Sequence, residues 1–558
     1  MKSPTLLIVG GVAGGASCAA RARRLSENHR IVLFERGPFV SFANCGLPYY
    51  VGRVIRKEED LLVASPELFR DRFNIEVRLR HEVTAIDRQG KTVTARNLDS
   101  GEVYTEDYDD LVLSPGSEPV VPRLPGIDLP GIFPIWTIPD TRRIVQWLDT
   151  SRAEKAVVVG GGFIGMEMAE NLHKRGLSVT VVEMADHVMP SLDPEMAAFV
   201  HEHMESLGIP LRLGSAVKAF RAAALEGLAL DLESGESLAA DLVVVGVGAR
   251  PRLELARSAA LPVGESGGIR VDRRMRTEDP HIWAVGDAVE VRHVITGKPT
   301  RVPLAGPANR QGRIAAEAIV LGDAAKVSFR GAQATAVCGL LGLTMASTGL
   351  SEAELNRLDD PIPYEKVYLH PDHHASYYPD AQTITFKLIF GVPDGRVLGA
   401  QAVGRSGVDK RIDVVASAIQ HEATVRDLAE AELCYAPQYG AAKDPVNFAG
   451  MVACNALDGW MPLEHWDRVE ASDTLLLDVR TALEYRQGHV PGAVHIPVDS
   501  LRRRLEELPR DQPIRTYCHV GQRSYVACRI LNQNGFRAAN ISGGYRMYLA
   551  YRRAGRVR

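Results

Sequence analysis

The chain carries the same strand–glycine–helix unit twice, 150 residues apart, and this repeat limits the folds open to it. The first copy is TLLIVGGVAGGASCAARARRL, residues 5–25; the second is KAVVVGGGFIGMEMAENLHKRGLSVTVVEM, residues 155–184. Each begins with a buried-type apolar run, breaks at glycines, and continues into an Ala-rich or amphipathic helix. Glycines there let the backbone approach a pyrophosphate, and the helix N-terminus offers free N–H groups and positive partial charge. The second copy fits G-x-G-x-x-G in full, with Gly160, Gly162 and Gly165. The first fits at Gly10 and Gly15 but places Val12 at the middle glycine. An acid follows on the next strand in both, Glu35 and Glu183, positioned to bind ribose hydroxyls. No Arg or Lys immediately follows Glu183 to pair with a 2′-phosphate, which predicts NADH over NADPH.

Length sets the number of cores. A 558-residue chain is too long for one, and three or four domains are expected. The composition, 46% hydrophobic and 24% charged with a net charge of −4, gives no reason to expect a nucleic-acid or anionic-membrane partner. MKSPTLLIVGG runs directly into a strand without a leader-like tail, and no stretch of 18 apolar residues is present. Seven cysteines, odd in number and widely spaced, form no disulfide framework. A cytoplasmic protein is the expectation, with no metal.

The segments TEDPHIWAVGDA (277–288) and LVLSPGSEP (111–119), together with the two glycine turns, resemble the two-dinucleotide flavoprotein disulfide reductases over roughly residues 1–455. That resemblance implies FAD on the first unit, NADH on the second, and Asp287 on the ribityl chain. The implied cofactor-binding residues are Gly10, Gly11, Gly14, Gly15, Glu35, Arg36, Ser114, Gly116, Asp287 and Ala305, with Gly160, Gly162, Phe163, Gly165, Glu183 and Gly248. Phe163 is expected either to cover the flavin or simply to pack.

Two-cysteine members of that family carry C-x4-C where this chain has SFANCGLPYY, with Tyr50 at the second cysteine position. A lone Cys45 leaves two chemistries, a sulfenic acid or a mixed disulfide with an external thiol. Flavin peroxidases and oxidases of the family place a histidine in the first glycine turn; here it is Ala13. SFANCG instead resembles coenzyme A-disulfide reductases, as do HHASYYPDA (373–381) and CYAPQYGAAKDPVN (434–447). The resemblance implies a homodimer in which Tyr377 and Tyr435 enter the partner's site, Tyr378 being the alternative to Tyr377. It also implies Ser17, Arg21, Arg24, Ser41, Asn44, Asn309 and Lys443 around coenzyme A. An attacking cysteine must be a thiolate, so a lowered Cys45 pKa at a helix N-terminus is expected. Cys18, Cys338 and Cys528 are expected in the core, and Cys434 and Cys454 as structural.

After residue 465 the pattern restarts. LLLDVRTALEYRQGHVPGAVHIP and PIRTYCHVGQRSYVACRILNQNGF resemble a rhodanese domain. The loop from Cys518 to Arg523, with Gly521, would wrap N–H groups around the Cys518 sulfur and stabilise a thiolate or persulfide. The expected fold class is α/β: two Rossmann-like dinucleotide-binding domains, an α+β dimerisation domain and a C-terminal α/β rhodanese domain. The expected boundaries are 1–120 and 250–325 for the flavin part, 121–249 for NADH, 326–455 for dimerisation, 456–465 as linker and 466–558 for rhodanese. The expected activity is NADH- and FAD-dependent reduction of coenzyme A persulfide, polysulfide or disulfide, with an NADH oxidase or peroxidase as the alternative.

Overall fold

The computed structural model describes residues 3–223, 227–469 and 474–557. They form two compact units, one of residues 1–182 and 216–334, the other of residues 183–215 and 335–558.

In the first unit, the strand Thr5–Val9 is the centre of a five-stranded parallel sheet. Arg30–Glu35 and Glu76–Leu79 lie on one side, Asp110–Leu113 and Ile282–Ala284 on the other. Leu6, Leu7 and Ile8 are fully buried, with Leu33, Leu111 and Ile282. Continuous apolar strands of this kind are what a sheet covered on both faces requires. A second parallel sheet repeats the design around Lys155–Val159, flanked by Ser178–Val182 and Leu242–Val245, with Ile132–Pro134 beyond.

The two glycine turns are geometrically the same. Gly10 has φ +96°, and a β-carbon there would lie 2.0 Å from the Ser114 carbonyl oxygen; Gly160 has φ +110° and would meet the Gly246 carbonyl at 2.3 Å. Five residues on, a β-carbon on Gly15 or Gly165 would lie 1.9 Å from the carbonyl of Gly10 or Gly160. Only glycine permits this handedness and this approach of helix to strand.

The second unit holds a five-stranded antiparallel sheet in the order Ala336–Leu340, Leu343–Gly349, Val397–Gly404, Ile384–Gly391, Tyr364–Leu369. It also holds a parallel sheet in the order Leu463–Glu464, Ala538–Ile541, Ile514–Tyr517, Leu475–Asp478, Val494–His495. A buried ionic cluster ties three segments of this unit together. The Lys387 ammonium, fully buried, sits 2.6 Å from Asp193, 2.6 Å from Glu195 and 2.5 Å from Glu352. Those three carboxylates are close enough to hold a cation, and the ammonium is that cation. Lys366, equally buried, reaches Glu352 at 2.8 Å, Asp467 at 3.2 Å and the Tyr551 hydroxyl at 3.3 Å. No helix of the described residues is long and apolar enough to cross a membrane.

Candidate active site

Both glycine turns lead into helices that lack a side-chain cap: Gly14–Leu25 after Ala13, and Phe163–Lys174 after Gly162. Apart from Gly15 N–H, which Ser114 takes up, their first N–H groups are therefore available to an anion. A β-carbon at Gly162 would meet nothing within 4 Å, so the second turn has room for a phosphate. In the first turn Gly15 N–H donates to Ser114 Oγ at 3.1 Å, which brings the LVLSPGSEP segment against the glycines. Glu35 accepts from Gly11 N–H at 2.9 Å and from Gly37 N–H at 2.7 Å, holding its carboxylate at the mouth of the turn. Arg36, beside it, is exposed and lies 3.6 Å from Glu82.

Asp287 is largely enclosed, and burial raises its pKa, with a Ser117 hydrogen bond opposing. Gly286 N–H donates to Gln311 Oε1 at 2.7 Å, which fixes the Gly-Asp turn to the helix Ala305–Leu321. Gly116 and Gly248 both have positive φ and open space where a side chain would be. Phe163 is the first residue of its helix and half-buried. Glu183 accepts from Ala185 N–H at 2.8 Å. A pair of uncapped helix N-termini, each followed by an acid at the next strand end, fits two dinucleotides.

Cys45 is exposed and free, in the 3₁₀ turn Asn44–Gly46, and only a five-residue helix, Leu47–Val51, follows. The expected lowering of its pKa is not found. Although the residue reaches solvent, partial desolvation of the thiol, then the negative charges of Glu167 and Asp287, push it up, and only a backbone hydrogen bond works the other way. Glu167 is four residues after Phe163 on the second glycine helix, and the Tyr49 hydroxyl donates to it at 3.2 Å. Its own pKa is raised by burial. Glu167 was not a sequence candidate, because nothing local shows which face of that helix meets the Cys45 turn.

The residues expected around coenzyme A are arranged unevenly. Ser41 has φ +49° and its N–H bonds to Gly11 O at 2.8 Å, tying the Cys45 loop to the first turn. Asn44 Nδ2 donates to Trp136 O at 3.3 Å, while Asn44 Oδ1 is buried without a partner, an acceptor left open to a ligand donor. Ser17 and Asn309 are hydrogen-bonded to each other. Arg21 does not share a free face with Arg24: it is paired with Glu317 through Nε at 3.0 Å and Nη2 at 2.7 Å. Arg24 is exposed, its guanidinium 6.0 Å from the Phe73 ring.

In the second unit Lys443 is exposed, and Tyr377 and Tyr435 stand in solvent at 74% and 49% of full exposure. Their hydroxyls are hydrogen-bonded to each other, whereas Tyr378 packs edge-on against His374, 5.6 Å between centroids. The Cys518 sulfur is buried and accepts from Gly521 N–H at 3.1 Å and Ser524 Oγ at 3.5 Å. The helix after it begins at Gln522. Arg523 faces that sulfur and is itself clamped by Glu484 at 2.5 and 2.7 Å. Cys18, Cys338 and Cys528 are core residues as expected, and burial pushes the Cys18 thiol up to about 12. Cys434 is exposed, with Lys410 Nζ 3.9 Å away.

Residues 4–312 match the family described as pyridine nucleotide-disulphide oxidoreductase, more than half of the chain. The chain belongs to that family. As a pyridine nucleotide-disulphide oxidoreductase it also carries a match to the family's dimerisation domain at 335–444 and a rhodanese-like domain at 461–550. The coenzyme A disulfide reductase of Staphylococcus haemolyticus is 35% identical over 80% of this chain and 99% of its own. The structure of reduced CoADR-RHD from Bacillus anthracis is 45% identical, with a TM-score of 0.95 over 98% of both chains. An NAD-dependent persulfide reductase from A. fulgidus is 36% identical, with a TM-score of 0.90 over 98% of this chain and 100% of its own.

Proposed function

We propose that this oxidoreductase is a homodimeric, NADH- and FAD-dependent reductase of coenzyme A persulfide, polysulfide and coenzyme A disulfide. The observation that carries the reading is Cys45: free, exposed and without a second cysteine at Tyr50, so that its disulfide partner must come from outside. The flavin part is assigned to 1–120 and 250–325, the NADH part to 121–249, dimerisation to 326–455 and the rhodanese domain to 466–558, with a short linker between the last two.

FAD would be held by the first glycine turn, Glu35, Ser114 and Asp287; NADH by the second turn and Glu183. Bound flavin supplies two electrons, taken as hydride from NADH, to the sulfur bonded to Cys45. The Cys45 thiolate attacks the inner sulfur of a coenzyme A persulfide; hydrosulfide leaves with the S–S electron pair, and Cys45 stays joined to coenzyme A. Two electrons then break that bond, returning the Cys45 thiolate and freeing coenzyme A. Tyr377 and Tyr435 of the partner subunit donate to the departing thiolate. Ser17, Arg24, Ser41, Asn44, Asn309 and Lys443 line the coenzyme A path, with Arg21 joining them once Glu317 releases it. Cys518 holds sulfane sulfur inside its N–H nest and passes it to coenzyme A.

The test is hydrosulfide released per NADH oxidised, with coenzyme A persulfide and coenzyme A disulfide offered separately. One hydrosulfide per NADH from the persulfide, abolished in Cys45→Ser with FAD retained, is the expected result. Full activity of Cys45→Ser would end this reading. NADH consumption dependent on peroxide or oxygen alone would favour the oxidase.

A further inference from the structure

The C-terminal helix Gly544–Arg553 ends in a turn that aims an arginine at the loop following Glu183. Gly555 has φ +67°. Its N–H returns to Arg552 O at 3.0 Å, and Arg556 N–H to Tyr551 O at 2.9 Å. These two bonds are a Schellman cap, and glycine takes the left-handed position because it has no β-carbon to oppose it. Tyr551 is itself buried, its hydroxyl 2.9 Å from that of Tyr368. The Arg556 backbone is therefore held against a fixed point, although its side chain is exposed. From there Arg556 Nη2 reaches Asp186 Oδ2 at 3.0 Å. Arg553 Nη1, three residues earlier, meets Glu205 Oε2 at 2.5 Å on the helix Pro194–Ser206. The other end of the C-terminal helix is bonded to the Cys518 loop, Tyr545 N–H donating to Cys518 O at 2.7 Å.

The inner side of the Glu183 loop has supports of its own. Ala185 N–H donates to the Glu183 carboxylate at 2.8 Å, and Ala185 O accepts from Gly214 N–H at 2.7 Å. Val188 N–H donates to His201 Nε2 at 3.3 Å. Burial, then the charge of His187, push that imidazole down to about 4, so the ring is neutral and its nitrogen can accept. Met184 and Asp186 stand on the outer side, both exposed. Among the described residues the ion partners of Asp186 are Arg556 and, at 3.7 Å, the adjacent His187. Arg556 is thus the hold that a distant element has on the outer side of the loop. Asp186 is joined by one peptide bond to Ala185, whose N–H orients the Glu183 carboxylate.

We infer that Arg556 is a positioning residue of the nucleotide site: through Asp186 it holds the loop so that the Glu183 carboxylate faces the ribose of NADH. The inference rests on the reading of Glu183 as the ribose-binding acid. The C-terminal helix, which carries the Cys518 loop at its other end, then sets the affinity of the reductase for its electron donor. An exposed ion pair adds little to the stability of a whole domain. Its effect belongs in binding, because a loop already held in its bound form costs the ligand less ordering. Hydride transfer itself should be indifferent to it, since neither Asp186 nor Arg556 is assigned to the reacting end of the nucleotide.

Stopped-flow reduction of the flavin by NADH in the FAD-loaded full chain tests this, because it separates the half-saturating NADH concentration from the limiting rate. Arg556→Gln should raise the former about 3-fold, the scale of one exposed ion pair, with the limiting rate within about 1.5-fold. Asp186→Asn should do the same, and the double variant should be no worse than either, since all three break one bond. Arg556→Lys should recover most of the loss, and Gly555→Ala, which strains the cap, should show part of it. Arg552→Gln, exposed on the same helix, should match the parent. An unchanged half-saturation in Arg556→Gln, a loss confined to the limiting rate, or additive single effects overturns the positioning role. Glu183→Gln separates the two claims. Weaker NADH binding there but not in Arg556→Gln defeats the positioning role and leaves the ribose assignment standing. Unchanged binding in Glu183→Gln defeats the ribose assignment and the inference with it. Thermal midpoints establish that each variant is folded.

Discussion

The hydroxyls of Tyr377 and Tyr435 lie 2.9 Å apart, hydrogen-bonded across 58 positions of sequence. Both rings project into solvent, and the hydrogen bond raises the Tyr377 pKa, which keeps that hydroxyl a donor. A donor unit of this kind, exposed in the single chain, suits a partner subunit's sulfur.

Because the two hydroxyls act through one another, their substitutions should not add. Tyr435→Phe is expected to lower kcat about 10-fold, and Tyr377→Phe/Tyr435→Phe to be little worse than the stronger single change. Tyr378→Phe should stay within about 2-fold, since its ring packs on His374. Steady-state kinetics with coenzyme A disulfide checks this; full additivity would mean that the tyrosines act separately.

Glu167 adds to the desolvation that raises the Cys45 thiol pKa. Its charge raises the thiol pKa, so Glu167→Gln should lower it and increase the thiolate fraction near neutral pH. The rate of iodoacetamide alkylation against pH should therefore shift to lower pH in the variant. A shift upward, or none, would leave burial as the whole cause.

Asp110 makes the first unit pH-sensitive. Burial pushes its carboxyl up to about 6; His281 and Lys91 oppose the rise, and Asp109 adds to it. A folded-state pKa above the unfolded value means stability that is present below about pH 4 and lost as pH rises through about 6. Asp110→Asn should thus stabilise the unit at pH 7.5 by about 1–3 kcal/mol and have little effect at pH 4. Thermal midpoints of both chains across that range decide it; a pH-independent difference would contradict the assignment.

Lys387 cannot be removed cheaply. Lys387→Met leaves Asp193 and Glu195 buried without their cation and Glu352 with Lys366 alone, which should cost about 3–5 kcal/mol. The second unit should then melt earlier by calorimetry, while the first keeps its transition. An unchanged midpoint would show that the acids have taken up protons instead.

What could be read from the chain beforehand follows the range of the interactions concerned. Gly10, Gly15, Gly160 and Gly165 were legible because a positive φ or a close backbone approach leaves no other residue possible, and that constraint is local. Gly521 and its nest around Cys518 were legible for the same reason. Cys45 misled: a helix start nearby suggested a lowered pKa, but desolvation of the thiol outweighs it, and the charge of Glu167, which adds to the rise, comes from 122 residues away. Arg21 misled similarly, its face being taken by Glu317 from a distant helix. The Lys387 cluster gave no signal, since its acids stand at 193, 195 and 352 among ordinary charged residues.

The contact of Lys366 with Tyr551 and Asp467, and of Tyr368 with Ser542, has a further consequence. Cutting the chain after its dimerisation segment would strip a buried ammonium and an edge strand of their partners and open them to water. The rhodanese tail is therefore not a detachable cargo: a shortened chain would present a charged, half-unzipped flank. Such a fragment should be recovered only with replacement side chains on that flank, however intact its flavin half.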